Sequence, residues 1–190
     1  HPIALIFGLL SFVSYLVEGA VGDWSALYLF EDKGILIEEA VMGVMLFNGT
    51  MCIGRLLGNR LGKHLTSKQV VVGGYLLGSI AMGLIVFLPG HASMYTYLLL
   101  GISLAMIVPN LFSAMGEQNV IPMTQAVATS TMLGYMGILM GPALIGFIAH
   151  GTSLTVAFIV LTILLVVSAG IGKYAYHLMS KDCGLSEEQI

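Results

Sequence analysis

Charged residues are scarce in this sequence of 190 amino acids. Only 9% of the residues are Asp, Glu, Lys or Arg, whereas 57% are hydrophobic and the mean hydropathy is +0.96. Soluble domains carry about 25% charged residues, and a water-soluble fold of this length cannot bury so much apolar sequence. Lipid must therefore solvate much of the chain, and the composition predicts an all-α membrane protein.

Cysteine and the basic residues are also rare, which excludes disulfide-stabilised and nucleic-acid-binding proteins. The two cysteines, Cys52 in an apolar run and Cys183 near the end, provide no disulfide framework. Seven Lys and Arg residues and a net charge of −3 do not suit a nucleic-acid partner. The histidines lack metal-ligand spacing, so we expect no metal site and no cofactor.

Six apolar runs are each long enough to cross a bilayer, which takes roughly 20 residues. Their short connections make neighbouring runs antiparallel. Together they predict one helical bundle over residues 1–179, followed by a polar tail over residues 180–190. The predicted spans, numbered 1 to 6, cover residues 3–29, 40–57, 70–88, 94–115, 125–149 and 154–176.

The distribution of Lys and Arg predicts how the bundle lies in the membrane. Only Lys33 lies at the end where spans 1 and 2 are joined. Cytoplasmic loops carry the excess of basic residues, so we expect the other end, with both termini and the tail, to be cytoplasmic. The basic residues at that end are Arg55, Arg60, Lys63, Lys68, Lys173 and Lys181.

Polar residues inside the spans are concentrated on spans 1, 2, 4 and 5. Polar groups in hydrocarbon are costly unless they face protein or water, so these four spans should line a wet passage and spans 3 and 6 should be outer struts. Two spans with polar residues are followed by one almost without them, and this order occurs twice. It predicts a 3+3 inverted repeat, as in many transporters. The residues on the polar faces are Ser11, Ser14, Glu18, Gly22 and Ser25 on span 1; Asn48, Cys52, Arg55 and Asn59 on span 2; Ser103, Asn110, Ser113 and Glu117 on span 4; and Thr131 and Tyr135 on span 5.

Glycines indicate where helices pack closely. In span 5, Gly134, Gly137 and Gly141 form a small-residue stripe, which we interpret as a packing surface. A weak internal echo supports the repeat, because Met45-Leu46 precedes Gly54 at the spacing at which Met132-Leu133 precedes Gly141. Pro109 is placed to loosen span 4 beside Asn110.

Glu18 is the sharpest candidate for a functional residue. It lies six residues, about 9 Å, deeper in the membrane than Trp24, which fits an aromatic belt. An intramembrane carboxylate is a functional hypothesis by default, and a proton-coupling role competes here with a hydrogen bond that pins span 1 to a neighbour. Asp23 lies at headgroup depth and is either a wet interfacial acid or part of the transport route.

Four further residues are candidates for contact with a solute. Asn48 and Asn110 offer amide groups within spans 2 and 4, and Thr131 and Tyr135 share one face of span 5. A Tyr combines an apolar ring with a hydroxyl group, as ligand pockets commonly require. The alternative is that Tyr135 fills a helix interface.

The segment that ends span 2 combines glycine with cations and predicts a cytoplasmic gate loop. Glycine allows helix ends to approach closely, and the cations sit at cytoplasmic depth. The alternative is that these cations only set the orientation of the protein. The predicted gate loop comprises Gly54, Arg55, Gly58, Asn59, Arg60, Gly62 and Lys63.

Three segments resemble a known family. Residues 18–29, EGAVGDWSALYL, resemble the seventh helix of bacterial major facilitator superfamily (MFS) permeases of the YbjJ-like, fucose-permease-related branch. Residues 54–63 resemble the Gly/Asp/Arg-rich loop between helices 8 and 9 of the superfamily, although Asn59 stands where Asp is usual. Residues 134–146, with Gly141-Pro142, resemble the eleventh helix.

The resemblance implies that this chain is the C-terminal half, helices 7–12, of a twelve-helix secondary transporter in a bacterial inner membrane. Such a permease works by alternating access, needs its N-terminal half as partner, and moves sugar-like or drug-like solutes, often with protons. Two other classes remain open, namely a non-transporting subunit, receptor or channel half, and a membrane-embedded hydrolase. Ser103 could be a nucleophile, but no histidine lies inside a span to act as its base, so we expect no enzyme.

Overall fold

The computed structural model describes residues 2–61, 65–117 and 122–183, without the side chains of residues 59–61, 117, 182 and 183. Within these ranges the chain is helical and contains no strand. The helices run over Pro2–Glu31, Ile37–Leu61, Ser67–Phe87, Gly90–Tyr95, Tyr97–Leu104, Ile107–Glu117, Met123–Gly151 and Leu154–Cys183.

Six stretches of these helices are long and apolar enough to cross a membrane, and each overlaps one predicted span. The prediction of an all-α membrane protein with six spans is thereby confirmed. The spans, which keep their numbers 1 to 6, are Pro2–Glu31, Ile37–Gly58, Ser67–Phe87, Gly90–Gly116, Met123–Gly151 and Leu154–Lys181.

Span 4 is built from three consecutive helices rather than one. Its second and third helices, Tyr97–Leu104 and Ile107–Glu117, are separated by the turn residues Ala105 and Met106. Pro109 follows one turn later and has no N–H, so the carbonyl of Ala105 loses its helical donor. The loosening predicted from Pro109 is therefore present, four residues before the proline.

The packing of the helices repeats between spans 1–3 and spans 4–6. Span 1 packs along span 5 as span 4 packs along span 2, and span 1 contacts span 6 as span 4 contacts span 3. Spans 3 and 6 pack against each other. Exchanging span 1 with 4, 2 with 5 and 3 with 6 maps each of these contacts onto another of them, as expected for a 3+3 inverted repeat. The exchange is not complete, because spans 5 and 6 pack against each other without a comparable contact between spans 2 and 3.

The repeat extends to single contacts between helix backbones. A Cβ atom placed on Gly141 would lie 2.5 Å from the carbonyl oxygen of Leu16, and one on Gly54 would lie 2.6 Å from Cβ of Ala105. Gly54 and Gly141, the glycines of the internal echo, are 87 residues apart, and Leu16 and Ala105 are 89 apart. Corresponding positions thus form close approaches at both of the matching helix interfaces, span 1 with span 5 and span 4 with span 2.

A second pair of contacts follows the same spacing. A Cβ atom on Gly137 would overlap the carbonyl oxygen of Phe12, and one on Gly101 would overlap the side chain of Thr50. Gly137 and Thr50 are also 87 residues apart, and Gly101 and Phe12 are 89 apart. The glycine stripe of span 5 is therefore a packing surface, as predicted.

Lys33 anchors the connection between spans 1 and 2. Its Nζ atom donates hydrogen bonds to the carbonyl oxygens of Val86 (2.6 Å) and Leu88 (2.9 Å) and lies 5.3 Å from the centroid of the Tyr28 ring. Carbonyl groups at a helix C-terminus lack helical partners and favour a cation, so Lys33 stabilises the end of span 3. Partial burial lowers the pKa of Lys33, and the Asp32 carboxylate opposes this shift.

Candidate functional site

Glu18 and Arg55 form an ion pair that joins spans 1 and 2. Nη2 of Arg55 lies 3.2 Å from one carboxylate oxygen of Glu18 and 3.5 Å from the other. The side chain of Glu18 is 22% exposed and that of Arg55 is 43% exposed. Both residues lie inside candidate spans, where charge is tolerated when it is paired or reached by water.

Two glycines next to Arg55 pack against the middle of span 4, which places Arg55 at a similar depth in the bundle. Gly54 packs against Ala105, in the middle of span 4, and Gly58 packs against Met106. Both glycines therefore bring spans 2 and 4 together, while Arg55 projects to span 1.

The helix of span 2 extends into the predicted gate loop. Gly54, Arg55 and Gly58 are helical rather than part of a loop, and the backbone of Asn59 and Arg60 is helical as well. The helix runs on to Leu61, four residues past the predicted end of span 2 at residue 57. Gly62 and Lys63 lie outside the described residues, and a gating role for the segment stays a prediction.

Two tyrosines adjoin the ion pair. The rings of Tyr15 and Tyr135 are parallel within 5°, with centroids 6.3 Å apart, which joins spans 1 and 5. Tyr15 lies one helical turn before Glu18, on the same face of span 1. Tyr15, Glu18, Arg55 and Tyr135 thus form one group, called the Glu18 cluster below.

The Glu18 cluster contains one residue that the sequence did not suggest and one in an unexpected place. Tyr15 lies three residues before Glu18, on the same helix face, and this spacing was the available signal. Arg55 was assigned to a gate loop, although it shares a predicted polar stripe with Asn48 and Cys52.

The exposed face of span 2 continues the polar character of the cluster. Asn48 and Cys52 are exposed, like Arg55, and their spacing of four and three residues places all three on one helix face. This face is available to a solute or to a further protein surface.

Asn110, Thr131 and Asp23 have other surroundings. Nδ2 of Asn110 donates a hydrogen bond of 2.8 Å to the carbonyl oxygen of Met106 in its own span, beside the break in span 4. Thr131 lines a shallow groove along the first turns of span 5 together with Met132. Asp23 is exposed.

The serines of span 1 correct the prediction of a continuous polar lining. Ser14 shares a hydrogen bond of 2.8 Å with the hydroxyl of Tyr75, which is fully buried and also bonds to the carbonyl oxygen of Leu10 at 2.7 Å. These hydrogen bonds join spans 1 and 3, so span 3 is not an inert strut. The buried serines of the stripe are Ser11, Ser14 and Ser25.

Three curated proteins are similar to this chain over most of its length. An uncharacterized MFS-type transporter of Yersinia pestis is 41% identical over 168 residues, which are 87% of this chain and 43% of that protein. Membrane protein MosC of Rhizobium meliloti is 31% identical over 151 residues, 79% of this chain and 37% of MosC.

The third relative, named an uncharacterized transporter of Sinorhizobium fredii, is 28% identical over 159 residues, 82% of this chain and 41% of that protein. The chain therefore spans less than half the length of each of these relatives. No protein-family model matches the chain.

Proposed function

Since this chain is related to an MFS-type transporter, we propose that it forms the C-terminal six-helix half of a secondary transporter that moves a small solute by alternating access. The N-terminal half of the same transporter is its partner and faces the exposed side of span 2 across a watery solute passage. The protein lies in a bacterial inner membrane, and both ends of this segment are cytoplasmic, as the basic residues favour.

The observation that carries the proposal is the ion pair between Glu18 and Arg55. A proton that binds Glu18 removes its charge and releases Arg55, whose guanidinium then needs other acceptors. Oxygen atoms of a solute held near Asn48 and Tyr135 can provide them. Protonation of Glu18 and binding of the solute thus favour each other, which couples transport to protons.

The remaining candidates receive supporting roles in this mechanism. Thr131 and Asn110 extend the solute route along spans 5 and 4, and Asp23 lies on the route at the outer end. The segment over residues 54–63 latches the cytoplasmic side when the passage opens outward.

The coupling role is tested in vesicles that contain the complete transporter. Monosaccharides and amphipathic drugs are screened for movement driven by a pH gradient, and the solute found is then followed with Glu18→Gln. This variant should still exchange labelled for unlabelled solute, but a pH gradient should no longer drive accumulation. Glu38→Gln, at the exposed start of span 2, is the matched control and should behave as wild type. Undiminished accumulation by Glu18→Gln would remove the coupling role.

A further inference from the structure

Arg55 is the only Lys or Arg in spans 1, 2, 4 and 5, the four spans on which the polar residues are concentrated. Within the part of the chain that the structure describes, its guanidinium donates to Glu18 through Nη2 alone, at 3.2 and 3.5 Å from the two carboxylate oxygens. A guanidinium carries further N–H donors in a planar fork. The remaining donors of this exposed side chain are therefore open to a second acceptor.

The two members of the ion pair differ in how well a solute can reach them. Arg55 is 43% exposed and Glu18 is 22% exposed, and both oxygens of Glu18 already face Nη2. Asn48 and Cys52, exposed on the same face of span 2, add an amide and a thiol that can donate to a ligand. This surface offers a cation and hydrogen-bond donors, so it suits an anion better than a cation.

The tyrosines of the Glu18 cluster favour an organic anion over an inorganic one. A Cβ atom on Gly134 would lie 2.6 Å from Cδ2 of Tyr15, so the ring of Tyr15 rests against the backbone of span 5. The parallel ring of Tyr135 is 64% exposed and offers a free face. An aromatic or sugar ring can stack on that face, whereas an inorganic anion would use only the guanidinium.

Glu18 has no charged neighbour other than Arg55 among the described residues that pack around it. Spans 4 and 5 contain no Asp, Glu, Lys or Arg, span 3 contributes Tyr75, and the basic residues of span 6 begin at Lys173, near its end. Asp23 lies five residues further along span 1, on another face. The carboxylate of Glu18 and an incoming carboxylate therefore compete for a single cation, and a proton on Glu18 decides between them.

We propose that the solute is an organic monoanion, a carboxylate attached to an aromatic or sugar ring, and that its carboxylate replaces that of Glu18 at Arg55. This inference rests on the proposed transport function and names the class of solute. A guanidinium binds a carboxylate through two parallel N–H···O hydrogen bonds. The proton held by Glu18 and the monoanion held by Arg55 are carried together, so one cycle moves no net charge.

Binding is measured on the purified complete transporter by ligand-induced thermal stabilisation. Two matched pairs of probes are used, phenyl β-D-glucuronide with phenyl β-D-glucoside, and benzoate with benzyl alcohol. In each pair a carboxylate replaces a hydroxymethyl group. At least one acid should bind about tenfold more tightly than its neutral partner, because hydrogen bonds to charged groups are the stronger ones. Arg55→Gln should abolish this preference, and Arg55→Lys, which keeps the charge but loses the fork, should weaken it.

A second variant predicts a gain, which a misfolded protein cannot produce. Glu18→Gln removes the competing carboxylate and leaves Arg55 in place. At about pH 7.5 it should bind the acid about tenfold more tightly than wild type does. Wild type should bind the acid more tightly at about pH 5.5 than at about pH 7.5, and Glu18→Gln should lose this dependence. Glu38→Gln, at the exposed start of span 2, is the matched control and should bind like wild type.

Three results would overturn the anion class while leaving the transport function in place. These are equal or absent binding of the acids and their neutral partners, unchanged binding of the acid by Glu18→Gln, and pH-driven accumulation in vesicles of a neutral solute but of neither acid. Failure of the proposed transport function has a different signature. In that case no solute, neutral or acidic, would move in the vesicles.

Discussion

Glu18 and Arg55 illustrate, at the scale of single residues, how the surroundings decide what a charge contributes. Each would be costly alone inside a membrane span, and each is compensated by the other at 3.2 Å. Exposed pairs contribute about 0–1 kcal/mol, but removing one partner of a buried pair costs about 3–5 kcal/mol. Since Arg55 is 43% exposed, this pair lies between the two limits.

A double-mutant cycle on this pair should therefore be non-additive. Arg55→Gln leaves the carboxylate of Glu18 without its cation and should lower the free energy of unfolding by about 1–2 kcal/mol. Glu18→Gln should cost a similar amount, and the double variant should cost less than the sum. Thermal unfolding in detergent micelles gives the three values. Additive effects would mean that the two side chains do not interact.

Tyr75 gives a second prediction at this scale. Its buried hydroxyl bonds to Ser14 and to the carbonyl oxygen of Leu10, so Tyr75→Phe leaves buried polar groups with fewer partners. We expect a loss of about 1–3 kcal/mol in the free energy of unfolding. Tyr174→Phe, at a position that is 57% exposed, should change it by less than about 0.5 kcal/mol. Equal effects in thermal unfolding would contradict a structural role for the Tyr75 hydroxyl.

The sequence alone was enough to select Glu18, because a carboxylate in a long apolar run stands out against its neighbours. It could not identify Arg55 as the partner, because that contact depends on how spans 1 and 2 pack and on the reach of a long side chain. The serines of span 1 were misjudged for a related reason. A polar stripe faces either water or another helix, and the buried Tyr75 that satisfies Ser14 comes from a distant segment.

At the scale of helices, close backbone contact joins the two halves of the repeat to each other. Gly137 meets the backbone of Phe12, and Gly101 occupies the matching position beside Thr50. The atoms opposite Gly137 belong to main chain and cannot rotate away as a side chain can. Small residues at such interfaces allow the close packing on which membrane helices rely.

Gly137→Ala should therefore separate spans 1 and 5. We expect the free energy of unfolding to fall by about 1–3 kcal/mol, as for other overpacked interfaces. Gly101→Ala should behave alike, because it occupies the corresponding position in the repeat. Gly170→Ala is the control, since its Cβ atom would meet nothing within 4 Å. The measurement is thermal unfolding. If Gly170→Ala lowered the free energy of unfolding as much as Gly137→Ala and Gly101→Ala, the packing role would be contradicted.

The six spans could be predicted from hydropathy, whereas two details of their ends and continuity could not. The helix of span 2 continues to Leu61, four residues past the predicted end, because packing of Gly58 against Met106 of span 4 stabilises it beyond the point where hydropathy falls. The break in span 4 is a local effect of Pro109, and the proline alone does not reveal whether the chain bends, breaks or stays straight.

At the scale of the whole molecule, the inverted repeat could be predicted because two of every three spans carry polar residues. The packing bears this out, because the contacts of span 1 with spans 5 and 6 match those of span 4 with spans 2 and 3. The sequence predicted that the polar residues of spans 1, 2, 4 and 5 line one passage, and in this six-helix bundle only some of them lie together. Glu18, Arg55 and Tyr135 form one group with Tyr15, whereas Asn48 lies exposed two helical turns from Arg55 on the same face of span 2. In our proposal the partner half completes this surface.

The central claim is that the polar face of span 2 borders water rather than lipid, and Cys52 tests it directly. Cys52 is exposed between Asn48 and Arg55, and a thiol reacts as thiolate, which needs water to form. The measurement is labelling of the complete transporter in native membranes by a charged, membrane-impermeant thiosulfonate, with Cys183 replaced by Ser. The control is Ile80→Cys, at a 57% exposed position beside the exposed Leu76 and Leu84 on span 3, with both native cysteines replaced by Ser. Cys52 should be labelled rapidly and Ile80→Cys should not be labelled. An unreactive Cys52, or equal labelling at the two positions, would show that the polar face of span 2 does not border water.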